Sequence, residues 1–189
     1  MEWIEITRKI YDSTKRAFWA LRNSRASEDF YAYALYTDSS AMTVMPAANS
    51  VQGLERRFAE EEDKSAASLA YYKWTTSEWS YEAWHADEFS QISAELRNSP
   101  NRNDEDQFRK HVFQSMIEAL KKLDDEGFFG KGEAREKLVL FITLTDDDLA
   151  EGVENESAKI LNHASVYEDF VRRYESQAEG ANSSSRSSS

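Results

Sequence analysis

The sequence predicts one α+β domain, a small, mainly antiparallel sheet packed against several helices. Two short stretches near residues 30 and 43 have strand character, and a continuous apolar run follows near residue 140. Between and around them, apolar residues recur every three to four positions, giving the order αββα(β)ααβα. A chain of 189 residues suits a single domain, and that length buries roughly 70% of its unfolded surface. The domain is expected over residues 1–175, with 176–189 a disordered Ser-rich tail.

The first element is an amphipathic helix. Trp3, Ile6, Ile10, Ala17 and Leu21 hold helical spacing, with Ile4, Tyr11 and Phe18 beside them. Residues 1–27 carry Arg8, Lys9, Lys15, Arg16, Arg22 and Arg25 against Glu2, Glu5 and Asp12, a net of +3 that leaves −15 for the rest. The bases fall mainly on the face opposite the apolar one. The simplest reading is a surface helix whose basic face lies near the acidic bulk; the other is a helix resting on a membrane or an acidic partner.

Phe30–Thr37 reads as a strand, Asp38-Ser39-Ser40 as a turn and Ala41–Met45 as a second strand closed by Pro46. Asn49 or Ser50 should cap a helix running from about Val51, through Leu54 and Phe58, to about Leu69, with Gly53 weakening its first turn. The aromatic segment 71–84 is expected to be a short strand or extended loop, with Trp74 in the core and one of Trp79 and Trp84 partly exposed. Phe89, Ile92 and Leu96 mark a short helix ending near Asn98-Ser99-Pro100.

The strongest helix follows. Phe108, Val112, Met116, Leu120 and Leu123 hold one face, Asp104–Asp106 suit its N-terminal dipole and Lys121-Lys122 its C-terminal end. Gly127 to Gly132 breaks the chain, and Leu138–Leu144 should be a central strand covered on both faces. A last helix is expected from about Glu156 to Tyr174, on Ile160, Tyr167, Phe170 and Val171.

Composition narrows function. The chain has 23 Lys+Arg against 35 Asp+Glu, a net of −12 that repels phosphate and argues against nucleic-acid and anionic-membrane binding. With no Cys there is no disulfide framework, thiolate metal site or Cys nucleophile. No apolar run reaches the roughly 18 residues of a membrane span, and no signal peptide opens the chain, so a cytoplasmic protein is expected.

No catalytic constellation or cofactor site stands out. His85, His111 and His163 lack zinc-ligand spacing, and no G-x-S-x-G elbow exists. Gly127-Phe128-Phe129-Gly130-Lys131-Gly132 lacks the phosphate-loop spacing and reads as a connector with its two Phe tucked under the domain. Asp146, Asp147 and Asp148 follow the apolar strand where ligand sites often form, yet adjacent carboxylates rarely converge on one ion. Glu60, Glu61, Glu62 and Asp63 read as a solvated face.

The hairpin Phe30–Met45 with Pro46-Ala47-Ala48-Asn49 resembles a bacterial family. So do Lys73-Trp74-Thr75-Thr76-Ser77-Glu78-Trp79, the late apolar strand and Ile160-Leu161-Asn162. The resemblance is to the family known as domain of unknown function 4303, and covers nearly the whole chain up to the tail. His163 departs from it, since proline is expected after Leu161-Asn162. The resemblance implies a single-domain soluble bacterial protein, similar to the immunity partners of secreted toxins.

The resulting expectation is a protein-binding inhibitor of immunity type, whose partner is another protein, possibly a basic toxin domain. Its binding residues would be Glu60, Glu61, Glu62, Asp63, Asp146, Asp147 and Asp148, with Trp79 and Trp84 as aromatic anchors. Two other classes remain open: a metal-dependent hydrolase built on Asp146–Asp148, and an accessory scaffold that binds through residues 1–25 and folds without them.

Overall fold

The computed structural model describes residues 2–175; the expected Ser-rich tail lies outside them. The first helix, α1 (Trp3–Ser24), leads into strand β1 (Phe30–Asp38), strand β2 (Met45–Ser50), α2 (Val51–Ala59) and α3 (Ala66–Trp74). The short β3 (Tyr81–Glu82), α4 (Ser90–Arg97), α5 (Glu105–Asp125) and α6 (Glu133–Glu136) follow. Strand β4 (Val139–Thr145), α7 (Ala150–Leu161) and α8 (Ala164–Val171) complete the described chain. The sheet order is β3-β2-β1-β4, with β3–β2 and β2–β1 antiparallel and β1–β4 parallel. It is a mixed sheet with two antiparallel pairings, within one α+β fold.

Strand alternation builds two cores. Tyr33, Leu35, Leu140 and Ile142 point to one face and pack with Ile10, Phe18 and Leu21 of α1 and with Val112, Met116 and Leu120 of α5. Ala32, Ala34, Val139 and Phe141 point to the other, against Trp79, Ala158, Val166 and Phe170. The apolar run is therefore covered on both faces, but β4 is an edge strand rather than a central one. Its open edge is closed by side chains around α7. The Asn162 amide donates to Leu140 O at 2.7 Å, and its Oδ1 accepts from Leu140 N at 2.9 Å. Ser157 Oγ accepts from Ile142 N at 3.0 Å. These bonds satisfy ladder groups that a missing fifth strand would otherwise take.

Helix α1 is integral to the domain. Ile6, Ile10, Ala17, Phe18 and Leu21 are buried, which corrects the idea of a detachable binding helix; Ile4 faces solvent. Its bases meet the domain's own acids: Lys9 bonds Glu95, Lys15 Glu126 and Arg16 Glu88, each at 3.0 Å or less. Helix α5 matches its sequence pattern, capped by Asp104, whose carboxylate accepts from Gln107 N. At its other end Phe128 N bonds Leu123 O and Gly127 N bonds Asp124 O, with Gly127 at φ +77°. That is a Schellman closure, which uses a left-handed residue just past the helix. Phe129 is buried beneath it, as the connector reading expected.

Four elements depart from expectation. The second strand starts at Met45 instead of ending there. Asp38 accepts from Ser40 N, Met42 N and Thr43 Oγ1, and Ala41 takes φ +51°, so 39–43 form a turn. Pro46 sits inside β2, opposite Leu35 and beyond the two residues that β3 covers. The expected helix 51–69 is two helices, because Glu61 and Asp63 turn their carboxylates onto backbone N–H groups of residues 62, 63 and 65. The aromatic segment is largely helical: Tyr71–Trp74 end α3, a 3-10 turn spans Thr76–Glu78, and only Tyr81 and Glu82 are strand. The last helix breaks at Asn162, whose side chain is engaged on β4, and Ile160 is exposed. Ser50 caps α2 as expected, accepting from Gly53 N at 2.9 Å. Gly53 is there for space, since a Cβ would lie 2.7 Å from Asn49 Oδ1 and 2.8 Å from Ser80 Oγ.

Candidate partner-binding face

Strands β1 and β4 run parallel and end together, with Asp38 opposite Thr145. Three segments converge beyond that end. The first is the turn 39–43, shaped by the Asp38 carboxylate. Burial raises the pKa of this carboxyl, but hydrogen bonds from Thr43, Met42 and Ser40 outweigh it and hold it below the ordinary aspartate value. The second is Asp146–Leu149, where Asp146 takes φ +52° and turns the chain out of the sheet. The third is the start of α5, which reaches both others. Arg102, just before it, donates to Ser40 O at 2.6 Å, and Arg109 faces Asp147 Oδ2 at 3.4 Å.

These ties sort the carboxylates. Asp147 is largely buried and structural: its Oδ1 accepts from Leu149 N at 2.9 Å while Oδ2 meets Arg109. Asp146 and Asp148 are exposed. Glu105 and Asp106 are exposed on the first turn of α5, four and three residues before Arg109, which sets them towards the same side of the helix. Both cations here are occupied. Arg102 lies over the Phe108 ring and Arg109 over that of Phe113, in addition to their polar partners. The surface charge that projects is negative. Two apolar side chains stand within it: Met42, 39% exposed, and Leu149, 58% exposed. A carboxylate rim around exposed apolar anchors suits a basic protein surface that also offers something to bury.

The other candidates lie elsewhere. Glu60–Asp63 join α2 to α3, with Glu61 bonded to the Tyr72 hydroxyl two residues from Trp74. Trp74 packs edge-on against Tyr31, at the beginning of β1, so this run sits towards the opposite end of the strand from Asp146. Within it, Tyr72 and two backbone amides hold the Glu61 carboxyl below its ordinary value. Glu60 and Glu62 are exposed. Trp79 is 4% exposed, edge-on to Phe141, with its indole donating to Lys73 O at 3.0 Å, so its ring presents no surface to a partner. Trp84 is half-buried against Tyr81 and Arg25, also away from the acidic face. Trp74, expected in the core, is half-buried between Tyr31 and Phe170.

Among the described residues no group of three or more His, Asp or Glu could hold a metal ion. The three consecutive aspartates diverge, one inward and two outward, which removes the geometric basis for a metal-dependent hydrolase there. Among the same residues no helix is long and apolar enough to cross a membrane. Sequence reading missed Met42, Leu149, Glu105 and Asp106. Their only signal was adjacency to turn and cap residues, and their convergence depends on the β1–β4 register.

The motif residues that carry a family likeness turn out to be joints. Asn49 donates to the Tyr31 hydroxyl, which donates with Trp79 to Lys73 O. Asn162 closes β4. A protein-family model described as Domain of unknown function (DUF4303) matches residues 10–163, from within α1 to the residue before α8. No curated protein and no solved structure matches the chain.

Proposed function

The chain belongs to the family described as Domain of unknown function (DUF4303), and from its own geometry we propose that it is a protein-binding inhibitor. In this reading it is a cytoplasmic bacterial protein that neutralises a basic toxin-like domain by stoichiometric complex formation, as immunity proteins do. The observation that carries the reading is the convergence of Asp146, Asp148, Glu105 and Asp106 around Met42 and Leu149. Acidic rims of this kind steer a basic partner and raise association rates towards about 10⁸ M⁻¹s⁻¹ at low salt. The apolar pair then supplies contact area that persists when salt screens the charges.

The test is capture from a lysate of the source organism on the immobilised full chain at low salt, with two double variants in parallel. The wild type and the Glu60→Gln/Glu62→Gln variant should capture one basic protein at equal stoichiometry, released by about 0.5 M NaCl. Asp146→Asn/Asp148→Asn should lose most of it. Equal capture by all three, retention at high salt, or no specific partner would count against the reading.

A further inference from the structure

The opposite end of β1 carries the inverse chemistry. The last turn of α1, the start of β1 and the connector 127–138 enclose two adjoining hollows of about 500 and about 610 Å³ that share Arg22, Glu28 and Phe30. The first is also lined by Trp19, Arg25 and Phe128, the second by Lys137. In a chain of net charge −12 this cleft gathers three cations without a counter-ion. Among the described residues Arg22, Arg25 and Lys137 have no carboxylate within 4.0 Å, whereas Arg8, Lys9, Lys15 and Arg16 earlier on α1 are all paired. Arg22 donates only to Phe128 O, and Arg25 stands 5.8 and 5.9 Å from the centres of the Tyr81 and Trp84 rings.

The two acids of the cleft are already engaged. Glu28 is held by Arg56 at 3.1 Å and by the hydroxyls of Tyr81 and Ser50. Asp29 is held by the Gln52 amide at 3.2 Å. Neither neutralises the cations. Arg22 and Arg25 lie one helical turn apart on the same side of α1, spaced to hold one anionic group between two guanidinium forks. Trp19, one turn earlier, is 63% exposed and offers a flat ring face beside them. Phe30 and Phe128 complete an aromatic wall. The hollows fall within the usual range of roughly 300–1,000 Å³ for small-ligand sites.

We infer that this cleft binds a small planar aromatic anion, its ring lying on Trp19 and its phosphate or carboxylate held by Arg22 and Arg25. Lys137, on the far wall, takes a second negative group or the remaining charge of a phosphate. The site is independent of the proposed inhibitor function, because it lies at the other end of the sheet and shares no residue with the acidic face.

The test is titration of the full chain with adenosine 5′-monophosphate, indole-3-carboxylate, adenosine and inorganic phosphate, read by calorimetry and by tryptophan fluorescence. Adenosine 5′-monophosphate or indole-3-carboxylate should bind, and whichever binds tighter tells whether the anion is phosphate or carboxylate. Adenosine and inorganic phosphate should each bind at least about tenfold more weakly than the better of the two. The Arg22→Gln/Arg25→Gln variant should weaken that binding by about tenfold or more. Its melting temperature should stay near wild type, since no ion pair is broken. Trp19→Phe should remove most of the fluorescence change, and Lys137→Gln tests the far wall from a second element. No binding of either aromatic anion up to about 10 mM, equal binding of inorganic phosphate, or unchanged affinity in the double arginine variant would overturn the site.

Discussion

At the scale of single residues, side chains replace backbone partners and carry disproportionate weight. Asn162 is the clearest instance, giving and receiving a hydrogen bond on Leu140 at the outer edge of β4. Each buried backbone group left unpaired costs about 1–3 kcal/mol, so Asn162→Ala should destabilise the domain by about 2–4 kcal/mol in urea unfolding. A loss under about 0.5 kcal/mol would mean that water or a rearranged α7 takes over the role. Glu28 gives a pH signature. Its burial raises the pKa, but Ser50, Tyr81 and Arg56 outweigh it and hold the carboxyl below its ordinary value of 4.5. A depressed folded-state pKa stabilises above the unfolded value and is lost as pH falls through the folded one. Stability should therefore decline below about pH 4.5, and the decline should be shallower in Glu28→Gln than in wild type. Parallel curves for the two proteins would remove Glu28 from the acid response. The pair of Arg173 and Glu154 behaves differently, for both are buried and 2.7 Å apart. Glu154→Ala would strand the guanidinium and should cost about 3–5 kcal/mol.

At the scale of elements, β4 shows what an apolar run does and does not specify. Seven consecutive apolar or Thr residues announce burial on both faces, and that was legible in sequence. Whether the strand is central or at the edge was not, because the distinction lies in which backbone groups find a partner, and here the partners are Asn162 and Ser157, far along the chain. Removing both protections exposes a flat apolar edge. Ser157→Ala/Asn162→Ala should therefore associate through β4, visible as concentration-dependent growth in light scattering; a monodisperse variant would show that α7 shields the edge by bulk alone. Helix α5 was fully readable since its apolar spacing, N-cap and C-terminal glycine all agree. The segment 71–84 was not. Its rings suggest a strand, yet Ser65 caps a helix through Ala66, Ala67 and Ala70, and tertiary packing of Trp74 and Trp79 overrides the aromatic preference. The same override moved Trp79 from a surface anchor to the core. The acidic face was legible only at Asp146 and Asp148. The residues that complete it come from two other segments, and nothing local in the sequence brings them together.

At the scale of the whole molecule, the net charge of −12 conceals a separation. The basic face of α1 is neutralised internally, leaving a cation-lined cleft at the beginning of β1 and a carboxylate rim beyond its end, roughly 26 Å apart along the strand. Such an arrangement gives each end its own partner chemistry, so charge changes at one should leave binding at the other unaltered. The acidic rim acts mainly on encounter, and Met42 and Leu149 mainly on retention. The decisive measurement is the association rate of the captured basic partner with wild type and with Asp146→Asn/Asp148→Asn, followed from low ionic strength to about 0.5 M NaCl. The wild-type rate should fall by about tenfold or more as salt rises, and the variant should begin low and respond less, with dissociation little changed in both. Rates that ignore salt, or that are the same in the two proteins, would contradict the acidic end of the sheet as the binding face.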